Sequence, residues 1–165
     1  MAKKKKRVPK TMPMRLLEQR GIPYEVHQHM HKQYTAEDVA QDLGVPVAQV
    51  LKAMILQRSA RQFMLAVVPG DVRLSLKKIG AALDDKNVKL ATERDVQRVT
   101  GYQVGAVSVL GFRRGPLLTY VDQRVLDLEQ VIISAGRPDA ALALSPDALL
   151  QALEGAELDD FSEEE

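Results

Sequence analysis

Val50-Leu51-Lys52-Ala53-Met54-Ile55-Leu56-Gln57 and Gln62-Phe63-Met64-Leu65-Ala66-Val67-Val68 are two apolar runs separated only by Arg58-Ser59-Ala60-Arg61. Runs of this length joined by a short polar link predict a β-hairpin, which Pro69-Gly70-Asp71 would end. One residue does not suit a buried strand, and it is Lys52. An ammonium is costly to bury unless it is paired, solvated or put to use. Two readings stay open: a stem that packs while its head snorkels to the surface, or a cation at a polar cleft.

Upstream of the hairpin, Pro13 to Arg20 followed by Gly21 predicts a short helix, Tyr24 to His29 a strand, and Thr35 to Gly44 a helix with a threonine cap and a glycine stop. A further short turn is expected from Pro46. Downstream, Ser75 caps a helix through Leu83, whose Lys77 and Lys78 are expected to face solvent. A strand near Val88-Lys89-Leu90 and a helix from Thr92 to Gly101 follow. Strands are then expected near 117–121, 129–134 and 140–144, before a last helix capped by Ser145. Strands and helices mix without strict alternation, which favours an α+β fold with a mixed sheet.

The chain has 165 residues, 45% of them apolar and 27% charged, the profile of one globular domain. No apolar stretch approaches the ~20 residues that span a bilayer, and the lysine-rich start lacks a secretory signal's apolar core. A cytoplasmic location and no membrane or DNA partner are expected. Having no cysteine, the chain offers no disulfide, thiolate nucleophile or cysteine zinc site. The net charge of +1 hides an asymmetry, with a basic start (Lys3 to Arg7, Lys10) and an acidic end (Glu154 to Glu165). Residues 1–11 are read as a disordered basic arm, 12–153 as one domain and 154–165 as a disordered acidic tail. A basic arm can add affinity for a polyanion such as RNA, or be merely solvated.

Gly101-Tyr102-Gln103-Val104-Gly105-Ala106-Val107-Ser108-Val109-Leu110-Gly111 has neither helical nor strand period. Its glycines let main chain approach a ligand closely, although a long connection with turn glycines has the same look. It is not a Walker loop, since Gly111 is followed by Phe112-Arg113-Arg114 rather than by Lys-Ser/Thr. His27, His29 and His31 alternate on one strand face, a poor arrangement for a single ion, and no metal site is assigned. Ser108 and Ser134 lack a nucleophile-elbow setting, so no acyl-enzyme is expected.

In this order, Gln49 to Met54, Val68-Pro69-Gly70-Asp71, Leu76 to Ile79, Thr100 to Gly111 and Ser134-Ala135-Gly136 resemble the YbaK/prolyl-tRNA-synthetase-associated domain family over roughly residues 12–153. The resemblance implies a single α+β domain whose mixed, barrel-like sheet, surrounded by helices, holds a small pocket for the aminoacyl-adenosine end of tRNA. It implies an aminoacyl-tRNA deacylase that needs no cofactor and hydrolyses the ester of misacylated tRNA, Cys-tRNA(Pro) or Cys-tRNA(Cys) above all, with prolyl-tRNA synthetase as a further partner. A catalytically silent module that binds tRNA or a synthetase is the alternative.

By position, Lys52 matches the family's pocket lysine, which holds and polarises the substrate. Gly101, Tyr102 and Gly105-Ala106-Val107-Ser108 match its glycine-rich loop, whose backbone can stabilise oxyanion charge. Ser134 and Gly136 match the opposite wall, and His29 stands where some relatives carry an aromatic residue near the pocket mouth. Three positions depart from the pattern: Ala106 for glycine, Val109 for proline, and Ala53 for the threonine after the lysine. Ala106 is expected to add a methyl at the pocket wall.

Overall fold

The computed structural model describes residues 8–29 and 35–164. Helix α1 (Met12–Gln19) begins with Pro13 in its first turn, and β1 (Glu25–Gln28) follows. Helices α2 (Ala36–Leu43), α3 (Leu76–Leu83), α4 (Glu93–Thr100) and α5 (Pro146–Ala152) share one entry device. The hydroxyls of Thr35, Ser75, Thr92 and Ser145 accept from the backbone N–H three residues on, at 3.1–3.2 Å. Each such cap contributes about 1 kcal/mol by satisfying an otherwise orphaned donor. Gly44 and Gly101, both at positive φ, end α2 and α4.

The expected hairpin forms from β2 (Lys52–Gln57) and β3 (Phe63–Val68), antiparallel with Lys52 opposite Val68. The remaining strands are β4 (Val72–Leu74), β5 (Lys89–Leu90), β6 (Leu118–Asp122), β7 (Val131–Arg137), β8 (Ala140–Leu144), β9 (Glu157–Asp159) and β10 (Ser162–Glu164). They form a mixed five-stranded sheet, β5-β2-β3-β6-β9, an antiparallel sheet, β1-β8-β7, and the pair β10-β4. The fold is thus α+β, but among the described residues the strands make three sheets and none closes into a barrel. The two larger sheets meet where Val50 bridges Ile132 and the Leu51 N–H donates to the Ile132 carbonyl at 2.9 Å.

Strand periodicity sorts side chains into three cores. Leu65 and Val67 of β3 join Val131, Ile133, Leu142 and Leu144 in a central core between the two sheets, closed at its ends by Leu17 and Leu149 from α1 and α5. Met64, Ala66 and Val68 turn the other way, toward Leu74, Ile79 and Phe161. On the outer face of the three-stranded sheet, Ile132, Ala141 and Ala143 take α2 through Val39 and Ala40. A strand with both faces covered reads as an uninterrupted apolar run, which explains the composition of β3.

Gly70 sits where the turn after β3 meets the segment before β2. A Cβ there would lie 2.2 Å from the Val47 carbonyl oxygen and 2.4 Å from that of Val50, so only glycine fits.

The acidic end departs from expectation. Far from a disordered tail, residues 157–159 pair in parallel with β6, and 162–164 pair antiparallel with β4. The reason is apolar burial plus backbone pairing: Phe161, 2% exposed, stacks on Tyr120 at 4.9 Å, and its N–H donates to the buried Asp122 carboxylate at 2.8 Å. Lys77 is exposed, and Lys78, whose side chain is 41% exposed, also donates to the Asp160 carboxylate at 2.8 Å and to the Ser162 carbonyl at 2.7 Å. Most of the basic arm, residues 1–7, and His31 lie outside the described residues.

Candidate functional site

The segment between α4 and β6 is irregular, as its glycines suggested, yet it is held firmly. Tyr102 is 9% exposed, and its phenol donates toward the carbonyls of Leu110 (2.8 Å) and Gly111 (3.1 Å), closing the loop on itself. Burial pushes the phenol's pKa well above its ordinary value. Two glycines make room for the ring. A Cβ at Gly111 would lie 2.6 Å from the Tyr102 hydroxyl, and one at Gly136 would lie 2.8 Å from its Cε1. Both glycines are at positive φ, so a side chain is excluded twice over.

The loop is also tied to β7. Ser108, fully buried, donates its hydroxyl to the Ser134 carbonyl at 2.7 Å. Ser134 in turn donates its hydroxyl to the Ala106 carbonyl and accepts from the Gly136 N–H, each at 3.0 Å. With both hydroxyls committed to backbone, neither serine is set up as a nucleophile.

Between this loop, β7 and the start of β2 lies a cavity of about 540 Å³. Its interior wall is apolar, from Ala53, Ile55, Val107, Val109 and Ile133. Gly105 lines it too, and having no side chain it can present only main chain. Ser134 and Arg137 border it on one side, Thr35 and Glu37 at the start of α2 on another, and Leu90, Glu93 and Val96 on a third. Such a cavity, mostly apolar with a few polar groups at its edge, suits a small ligand.

Lys52 borders this cavity at the first residue of β2. By strand alternation it shares a face with Met54 and Leu56, and its Nζ donates to the Val72 carbonyl at 2.7 Å. The ammonium is therefore bonded to the first residue of β4. His29, just past β1 and 8% exposed, also lines the cavity, and its N–H donates to the Asp139 carbonyl at 3.0 Å. Arg137 grips the Asp139 carboxylate with two bonds, 2.9 and 3.0 Å, and this pairing lowers the Asp139 pKa.

The structure thus brings Lys52, His29, Gly105, Val107 and Ser134 around one cavity. It separates the other sequence candidates from that space. Ala106 (1% exposed) and Ser108 lie behind the wall, and Gly136 is packed against Tyr102. Gly101 and Tyr102 face a second cavity of about 690 Å³ on the far side of the loop, with Leu16, Phe112 and Leu153. Of the three departures, Ala53 and Val109 line the first cavity. The Ala106 methyl, expected at the wall, is buried instead, and its φ lies outside the left-handed region, so alanine fits without backbone strain.

Sequence reading missed Ala53 and Ile55 as the apolar wall, although the period of two along β2 sets them opposite Lys52. It also missed Glu37, Glu93 and Arg137, which are remote in sequence and carry no local signal. Among the described residues no group of acidic or histidine side chains could hold a metal ion, and no helix is long and apolar enough to cross a membrane.

Known proteins share this fold. The chain is 31% identical over 154 residues to EbsC of Enterococcus faecalis, provisionally named a Cys-tRNA(Pro)/Cys-tRNA(Cys) deacylase, covering 92% of this chain and 93% of EbsC. It is 30% identical over 111 residues to the proline–tRNA ligase of Trichlorobacter lovleyi, but that match spans only 19% of the ligase. A crystal structure described as a candidate trans-editing enzyme for prolyl tRNA synthetase superposes with a TM-score of 0.83 at 30% identity, covering 92% of this chain and 95% of that one. Residues 31–152 match the family model for the aminoacyl-tRNA editing domain, and the chain belongs to that family.

Proposed function

We propose that this protein is a trans-editing deacylase that hydrolyses the ester bond of misacylated tRNA, with Cys-tRNA(Pro) or Cys-tRNA(Cys) as its substrate. The observation that carries the reading is the 540 Å³ cavity, lined by apolar side chains and by the Gly105 main chain, with Lys52 among the residues around it. Family membership and the likeness to EbsC support it.

In this reading the aminoacyl side chain occupies the apolar wall and the ester carbonyl lies against the loop. A water adds to the carbonyl carbon, the bond to the ribose oxygen breaks, and that oxygen leaves with a proton as the free hydroxyl of tRNA. A cysteinyl substrate can instead attack its own carbonyl carbon with its thiol: the C–S bond forms as the ester C–O bond breaks, the tRNA hydroxyl leaves with the thiol's proton, and water then opens the cyclic thioester released. Main-chain donors of the loop and the fixed charge of Lys52 stabilise the oxyanion, and positioning supplies much of the remainder. Ser134 acts by holding the loop's shape rather than by attacking.

The test is deacylation of Cys-tRNA(Pro), Cys-tRNA(Cys) and Ala-tRNA(Pro) by the purified full chain, with Lys52→Ala alongside. Turnover by wild type that falls in the variant supports the reading, whereas no turnover of any misacylated tRNA overturns it. A silent tRNA- or synthetase-binding module is the second reading, favoured by the bond between Lys52 and Val72 and by the altered wall residues Ala53 and Val109. It predicts tRNA binding without hydrolysis, weakened when residues 1–10 are removed.

A further inference from the structure

Helix α4 has two unlike faces. Glu93 and Val96 border the candidate cavity, while Arg94 and Arg98 are exposed and stand four residues apart. Two like charges at that spacing repel and work against the helix. Arg61, brought in by the β2–β3 connection, lies beside them, and Asp95 takes ion pairs from both Arg98 (2.8 Å) and Arg61 (3.6 Å).

The end of the glycine-rich segment adds two more arginines. The Arg113 N–H donates to the Thr100 carbonyl at 3.1 Å and the Arg114 N–H to that of Val99 at 3.3 Å, which anchors both at the C-terminal end of α4. Arg113 also lies over Gly101, where a Cβ would come within 3.3 Å of its Nε. Arg61, Arg94, Arg98 and Arg114 therefore share the surroundings of one eight-residue helix whose inner face borders the cavity, while Arg113 turns to the second cavity. The helix is about 12 Å long, the rise of three to four nucleotides of one strand. Arginine's planar fork suits phosphate oxygens.

We propose that this arginine band is the surface that grips the phosphates of the tRNA acceptor end and so delivers its aminoacyl terminus to the cavity. The inference rests on the deacylase reading and adds the place of RNA contact to it. The band reads phosphates rather than bases, so it confers affinity and not amino-acid selectivity.

The test compares the full-length wild type with the double variant Arg94→Ala/Arg114→Ala and with Arg94→Lys/Arg114→Lys, after thermal denaturation has checked that all three are folded. Binding of uncharged tRNA is measured by fluorescence anisotropy across a salt series, and turnover is measured on Cys-tRNA(Pro) and on the cysteinyl ester of adenosine. The alanine variant should bind tRNA about tenfold more weakly, with a log–log salt slope shallower by about two. Its ratio of tRNA to adenosine-ester turnover should fall by a similar factor, and the lysine variant should restore both. Unchanged affinity and slope in the alanine variant would overturn the band as the RNA contact. If wild type turns over neither substrate, the deacylase reading fails by itself, and the anisotropy series still decides the band.

Discussion

Ser134 donates its hydroxyl to the Ala106 carbonyl across 3.0 Å, tying the glycine-rich segment to the middle of β7. The same oxygen accepts from the Gly136 N–H, and Ser108 returns a bond to the Ser134 carbonyl. One side chain thus sets the distance between two walls of the candidate cavity. Ser134→Ala removes its two bonds and leaves two backbone groups without partners, a loss of about 1–3 kcal/mol. Urea denaturation should show that loss, and the cavity's turnover should fall more than stability does. Equal stability in wild type and variant would show that the loop is held by other contacts.

The slot for the Tyr102 ring can be tested at its glycine edges. Gly136→Ala places a Cβ 2.8 Å from Tyr102 Cε1 at φ +87°, while Gly155→Ala meets no atom within 4 Å at φ +77°. Backbone strain costs each about 1–2 kcal/mol, and overpacking adds about 1–3 kcal/mol only at Gly136. Denaturant midpoints should separate the two variants by that second amount, and a coincidence of midpoints would mean the ring moves aside freely.

Lys52→Met keeps the stem and removes the ammonium that bonds Val72. Loss of one preorganised charged donor should lower kcat/KM for a misacylated tRNA by about a hundredfold. Lys52→Arg should recover part of it. Wild-type rates in the methionine variant would leave Lys52 as a strut for the start of β4.

Phe161→Ala tests the docking of the acidic end. A buried phenylalanine truncated to alanine costs about 3–5 kcal/mol, and here the ring also stacks on Tyr120. A two-state unfolding curve should shift accordingly, whereas a disordered tail would leave it unmoved.

The Arg137–Asp139 pair predicts an acid-side effect. Hydrogen bonding to Arg137 holds the Asp139 carboxyl below its ordinary value, so the folded state is favoured above the unfolded pKa. That contribution disappears as pH falls through the lowered folded pKa. The stability difference between wild type and Asp139→Asn, followed by urea titration from pH 7 to pH 2.5, should be small, because the pair is half exposed, and should shrink below about pH 4. A difference that is constant with pH would exclude this coupling.

Local chemistry made most elements legible. Hydroxyl caps at Thr35, Ser75, Thr92 and Ser145 and the glycine stops at Gly44 and Gly101 act within a few residues of themselves. The hairpin around Lys52 was legible for the same reason, since its pairing spans a short link. The acidic end was not. Its charges dominate the composition, while the partners that order it, Tyr120, Asp122 and β4, lie about forty residues or more away.

The site divides along the same line. Residue chemistry alone singled out Lys52 and the glycine-rich segment, because a cation in an apolar run and an aperiodic loop are costly or unusual wherever they fall. Which side of that loop each residue faces was decided by packing: Gly105, Val107 and Val109 line the candidate cavity, while Gly101 and Tyr102 line another. The sequence determined the elements, their caps and the presence of an odd charge. Only the tertiary structure set Lys52 against Val72, made Tyr102 a buried strut and brought Arg61 and Arg114 to the arginines of α4, because contacts between distant segments carry no local period.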